Sequence, residues 1–100
     1  GGHMNVVLSQ EARHDIQLTL DWYIGQDAWT VAADFLTEAE AAFDRLSRSP
    51  GLGTPGPAGT RLLPLPRFPV SVVYRHAEDV LYVVALAAQR RRPGYWVGRG

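Results

Sequence analysis

Arginine supplies all ten strongly basic side chains of this 100-residue chain, and lysine is absent. A guanidinium fork suits bidentate contact with carboxylate or phosphate, although genome composition accounts for the same bias. Three arginines are consecutive, Arg90, Arg91 and Arg92, and Tyr95 and Trp96 follow closely. A basic run beside aromatics exceeds what solubility demands. It can grip phosphate or an acidic segment, or be a solvated charge run. Tyr95 and Trp96 belong to types enriched in interface hot spots, but they can equally cap the core, the preferred reading for Trp96. His76 follows Arg75 in what reads as a hairpin loop, where it can exchange protons near neutrality or stay merely solvated. His14 lies among polar residues of a helix and is expected to be exposed. Neither histidine has a second ligand at metal spacing, so no metal or cofactor is expected. The chain contains no cysteine, which excludes disulfides, thiolate zinc sites and thiol catalysis. Glu38 and Glu40 are neighbours on a helix surface and form no catalytic dyad. There is no glycine-rich phosphate loop.

The elements that must position these groups follow from periodicity. The opening Gly1-Gly2-His3 reads as an expression scar, leaving one domain from Met4 to Gly100. Asn5 to Leu8 is a short apolar run, expected to be a buried strand. Ser9 can cap a first helix, with Glu11 at the positive end of its dipole. Ala12, Ile16, Leu20, Tyr23 and Ile24 recur at helical spacing, and Asp15 falls with the polar residues. Gly25 ends this helix and Asp27 can cap a second, with Trp29, Ala32, Leu36, Ala39, Phe43 and Leu46 as its apolar stripe. Trp22, Tyr23 and Trp29 are expected in the core. So short a joint makes the two helices an antiparallel hairpin covering something apolar. Ser49 to Gly59, rich in Pro and Gly, is a loop. Arg61 to Leu65 is a strand whose Pro64 places it near an edge or bulge. Phe68 to Tyr74 and Val80 to Ala88 are strands, the latter central because it is apolar on both faces, with residues 75–79 as the hairpin loop. The expected fold is α+β, ordered β-α-α-β-β-β, with a helical hairpin packed on a small, mainly antiparallel sheet.

Charge is divided along the chain. Up to Pro50, eight acids face three arginines; beyond it, seven arginines face two acids, and the formal net charge is zero. Val80 to Ala88, the longest apolar run, is about half of the ~20 residues a membrane span needs. With no cysteine and no visible secretory signal, the expected location is the cytoplasm.

The ordered residues Val-Val-Leu-Ser-x-Glu-Ala-x-x-Asp-Ile from Val6 to Ile16, Trp22-Tyr23-Ile24, Phe35…Ala39…Phe43…Leu46, Ser49-Pro50-Gly51 and Arg61 to Leu63 form one pattern. With Phe68 to Arg75 and the closing Arg90-Arg91-Arg92-Pro93-Gly94-Tyr95-Trp96, it resembles the RelE/ParE superfamily of type II toxin–antitoxin toxins. The resemblance runs from Asn5 to Trp96 and favours the ParE-like branch. It implies a toxin that inhibits DNA gyrase, or a related topoisomerase, by binding, and that a cognate antitoxin neutralises. On that reading Arg75, Arg90, Arg91, Arg92, Tyr95 and Trp96 contact the target, and there are no catalytic residues. The alternatives are a RelE-like ribosome-dependent mRNA endonuclease and a degenerate toxin that only binds its partner. In the endonuclease, Arg61 and Arg75 would hold phosphate while Tyr95 or His76 handles protons. RNA cleavage needs acid, base and cations around one phosphate, and ribosome docking asks for a strongly basic surface. A neutral chain without lysine, and with no histidine where the last strand ends, fits that class less well. Strong nucleic-acid binding by the chain alone is not expected.

Overall fold

Ser9 starts the first helix as its type and position suggest: its hydroxyl accepts the Ala12 N–H at 2.9 Å. The computed structural model describes residues 4–88 and 94–99. In it β1 (Asn5–Leu8) leads into α1 (Gln10–Gly25), and α2 (Trp29–Arg48) returns alongside. A short strand β2 (Thr54–Pro55) and a 3-10 turn (Pro57–Gly59) follow, then β3 (Arg61–Pro64), β4 (Val70–Ala77) and β5 (Val80–Ala88). The sheet order is β1-β5-β4-β3-β2; β1 runs parallel to β5, and the other pairs are antiparallel. The α+β class, the helical hairpin and the interior place of Val80–Ala88 are as expected. The sheet has one strand more, because Thr54 and Pro55 of the Pro/Gly loop pair with Leu62 and Arg61.

Helix α2 buries Ala32, Phe35, Ala39, Ala42 and Leu46, spaced alternately three and four apart, the signature of one apolar face. That face is rotated toward Phe35 and Ala42 relative to the expected stripe, so Trp29 (63% exposed) and Leu36 lie outside it. Trp22 is also exposed (47%). Neither tryptophan is a core residue, because the sheet beneath is filled by Phe35, Phe68, Val72, Tyr74, Leu81 and Val83. Phe35 and Tyr23 each meet the Phe68 ring edge-on, at 5.5 and 6.0 Å. Fully burying an apolar side chain of this size stabilises by about 1.5–3 kcal/mol, so this layer holds helices to sheet.

Other local expectations give way for identifiable reasons. β1 has the expected limits but lies at the sheet edge with Asn5 and Val7 exposed, since only β5 pairs with it. Asp27 does not cap α2. It closes α1 with φ +57°, and Ala28 precedes α2 with no side-chain hydrogen bond. Phe68 and Pro69 form a turn instead of starting a strand: the Val70 N–H donates to the Phe68 carbonyl and the Leu65 N–H to the Val70 carbonyl. β3 accordingly ends at Pro64. The β4–β5 hairpin closes on Glu78 and Asp79 alone, with Glu78 at φ +53°. His76 therefore sits within β4, not in a loop.

Candidate functional site

The site grows from the place where β1 stops. The β1–β5 pairing ends at Leu8 opposite Val83, and the Ser9 N–H still donates to the Val83 carbonyl at 3.0 Å. Beyond that point β1 no longer covers β5, whose backbone groups must find other partners. Ser9 donates its hydroxyl to the Val84 carbonyl at 3.1 Å. Helix α1 crosses the same margin and lowers Asp15 onto it, where Oδ2 accepts the Leu86 N–H at 3.1 Å. Asp15 is only 5% exposed.

A register shift lies beside this point. Val73 pairs with Ala85 and Tyr74 with Val83, so Val84 is an extra residue in β5. Such a bulge turns two consecutive side chains toward one face. Val84 and Ala85 both join Val73 on the side away from the helices, where Trp96, 3% exposed, covers them. The turn of residues 94–99 is thereby docked on the second face of the sheet.

From that turn Arg99 reaches Asp15 Oδ2 at 2.8 Å, and its guanidinium carbon lies 5.2 Å from the centre of the Tyr95 ring. Burial acts most strongly on Arg99 and works against its charge. The hydrogen bond and attraction from Asp15 outweigh it, leaving the guanidinium pKa above its ordinary value. The Tyr95 hydroxyl approaches the Leu86 carbonyl at 3.4 Å.

Between α1 and the adjoining ends of β4 and β5 lies a groove of about 420 Å³, with Tyr95 as one wall. Asp15, Leu18, Trp22 and Tyr23 line it from α1, and Val70 and Leu86 from the sheet. Half-exposed Leu18 and Trp22 make its rim apolar.

The residues singled out in the sequence are scattered. Arg61 donates to the Gly53 carbonyl at 2.6 Å, bracing the loop after α2. It pairs with Tyr74, a helix-side residue, and so shares that face, whereas alternation along β4 sends Arg75 to the other. Arg75 donates from Nη2 to the Ala58 carbonyl at 3.0 Å, while its Nη1 is buried with no partner among the described residues. His76 is exposed and alternates away from Arg75. Arg75 pairs with Tyr82 and Tyr95 reaches Leu86, four residues on, so Tyr95 lies roughly 13 Å along the strand from Arg75. Tyr95 and Trp96 are brought together; Arg90, Arg91 and Arg92 lie outside the described residues. Asp15 and Arg99 were missed. The available signal was Asp15's place three residues after Ala12, at the margin of the apolar stripe. Among the described residues, no group of three or more His, Asp or Glu is placed to hold a metal, and no helix is long and apolar enough to cross a membrane.

A helical hairpin on a five-stranded mixed sheet, with a groove beside a docked turn, defines a small α+β protein of the fold expected above. The family model described as the ParE toxin of type II toxin–antitoxin system, parDE, matches residues 6–93. The chain belongs to the ParE toxin family. A solved structure described as the chromosomal ParDE TA system from P. aeruginosa shares the fold, with a TM-score of 0.77 and 20% identity. The match covers 86% of this chain and 96% of that one. No curated protein sequence matches the chain.

Proposed function

We propose that this ParE-family toxin works by binding: it inhibits DNA gyrase or a related topoisomerase in the cytoplasm, and a cognate antitoxin neutralises it. The observation that carries this reading is the dispersal of Arg61, Arg75, His76 and Tyr95. Phosphoryl chemistry on RNA needs acid, base and cations within hydrogen-bond reach of one phosphate. Here the two arginines point to opposite faces, each tied to a backbone carbonyl, and Tyr95 is a strand's length away. The apolar groove, the half-exposed Trp22 and Leu18, and Tyr95 beside them supply surface of the kind a protein partner covers. Arg75, Tyr95 and Trp96, with Arg90, Arg91 and Arg92, are the residues proposed to bear on the target. Trp96 does so from its buried position by shaping the turn.

Supercoiling and cleavage assays with purified protein test this reading. The expected result is inhibited supercoiling, relieved by the antitoxin, with ribosome-bound transcripts left intact in primer extension. Transcripts cut by the pure protein, with supercoiling unaffected, would overturn it.

A further inference from the structure

Among the described residues, Tyr95, Trp96 and Arg99 tie the turn of residues 94–99 to the body of the molecule. Its own hydrogen bonds, Val97 N–H to the Gly94 carbonyl and Arg99 N–H to the Trp96 carbonyl, are internal. Trp96 packs against Val73, Val84 and Ala85. Arg99 spans from the turn to α1, joining residues 84 positions apart. The acceptor is a carboxylate whose side chain is 4% exposed. Removing one member of a buried pair leaves the other charge out of water without compensation. Asp15 would keep only the Leu86 N–H, and water must enter the seam between α1 and the turn to solvate it.

We propose that Asp15 is a positioning residue of this toxin, acting through Arg99 to seat the 94–99 turn, and with it Tyr95 and Trp96, against β5. The seating bears on the groove, because Tyr95 and Asp15 both line it. The inference rests on the reading that the toxin acts through contacts made by this turn. It is independent of which target is contacted.

Trp22 and Trp29 are exposed and Trp96 is buried, so the double variant Trp22→Phe, Trp29→Phe leaves Trp96 as the sole indole reporter. In that background the emission of Trp96 should be blue-shifted and poorly quenched by acrylamide. Arg99→Gln and Asp15→Asn should each shift it to the red and raise the quenching constant several-fold, with far-UV circular dichroism unchanged. Arg99→Lys, which keeps a cation, should restore most of the protection. With the three tryptophans intact, Arg99→Gln should weaken growth arrest on induction without antitoxin, and Arg99→Lys should recover it. Arg99 lies outside both core clusters, so its variants carry the test even where Asp15→Asn fails to fold. Trp96 staying protected in Arg99→Gln overturns the proposal. So does full growth arrest from a variant whose Trp96 is released. Absence of a gyrase effect in the unmodified protein would strike the proposed target alone, because the fluorescence readout involves no target and growth arrest is scored whatever the target is.

Discussion

The hydroxyl of Tyr74 and the backbone N–H of Gly53 meet at 2.9 Å across 21 positions of sequence. The same hydroxyl donates to the Pro50 carbonyl at 2.6 Å. One fully buried phenol thus holds both ends of the tight turn after α2. A Cβ on Gly53 would stand 2.8 Å from the Leu62 carbonyl oxygen and from that hydroxyl. Gly53→Ala should therefore cost about 1–3 kcal/mol through overpacking. Tyr74→Phe should cost about 1–3 kcal/mol by leaving the buried Gly53 N–H unpaired. Urea unfolding of the two variants checks both values.

Glu38 on α2 accepts the Arg67 backbone N–H at 2.9 Å and its Nε at 2.8 Å. The backbone hydrogen bond, followed by the guanidinium, holds the carboxyl below its ordinary value against the opposing pull of desolvation. A carboxyl whose folded pKa is depressed binds its proton more readily in the unfolded chain. Its contribution is therefore complete above the unfolded pKa and lost as pH falls through the folded one. Thermal melts of the wild type and Glu38→Gln should differ at neutral pH and converge in acid below the usual glutamate range.

Trp29 and Trp96 bracket the range of tryptophan environments in the described structure. Trp29→Ser should change stability by no more than about 0.5 kcal/mol, as at an ordinary surface position. Trp96→Ala should cost about 3 kcal/mol, as for a large buried aromatic. Guanidinium denaturation separates these outcomes. A large loss at Trp29 would contradict its exposure.

Glu78 carries the left-handed backbone of the β4–β5 turn at φ +53°, a region that strains L residues by about 1–2 kcal/mol. Glu78→Gly should leave stability unchanged or raise it by up to about 1 kcal/mol. Glu78→Val, branched at Cβ, should lower it by about 1 kcal/mol or more. Equilibrium unfolding of the pair reads the difference.

What the sequence reveals of this fold is what neighbouring residues decide. The Ser9 cap needs only the Ala12 N–H three positions on, and the helical hairpin needs only two stripes and a short joint. Val80–Ala88 is legible as interior because a strand apolar on both faces must be covered on both. Illegible features depend on distant partners. Asp15 looks polar and solvent-facing until α1 lies over the open margin of β5, 71 positions away at Leu86. The β5 bulge has no local marker, since Val83-Val84-Ala85 alternates no differently from its neighbours. Trp29 sits at helical spacing with Ala32 and Leu36, and only the shape of the sheet decides that Phe35 goes inward instead. Of the candidate site, Tyr95 and Trp96 were visible as anchors by residue type. The Asp15–Arg99 pair that fastens their turn was not, because neither residue signals the other in sequence.

Parallel pairing of Asn5 with Val80 and Leu8 with Val83 has a consequence for biosynthesis. β1 leaves the ribosome well before β5, its one hydrogen-bonding mate among the described residues, and contacts so remote in sequence form slowly. A nascent or truncated polypeptide stopping short of residue 80 has helices but no central rail on which to lay them. Assembly of the sheet under the helices is thereby tied to synthesis of residues 80–88.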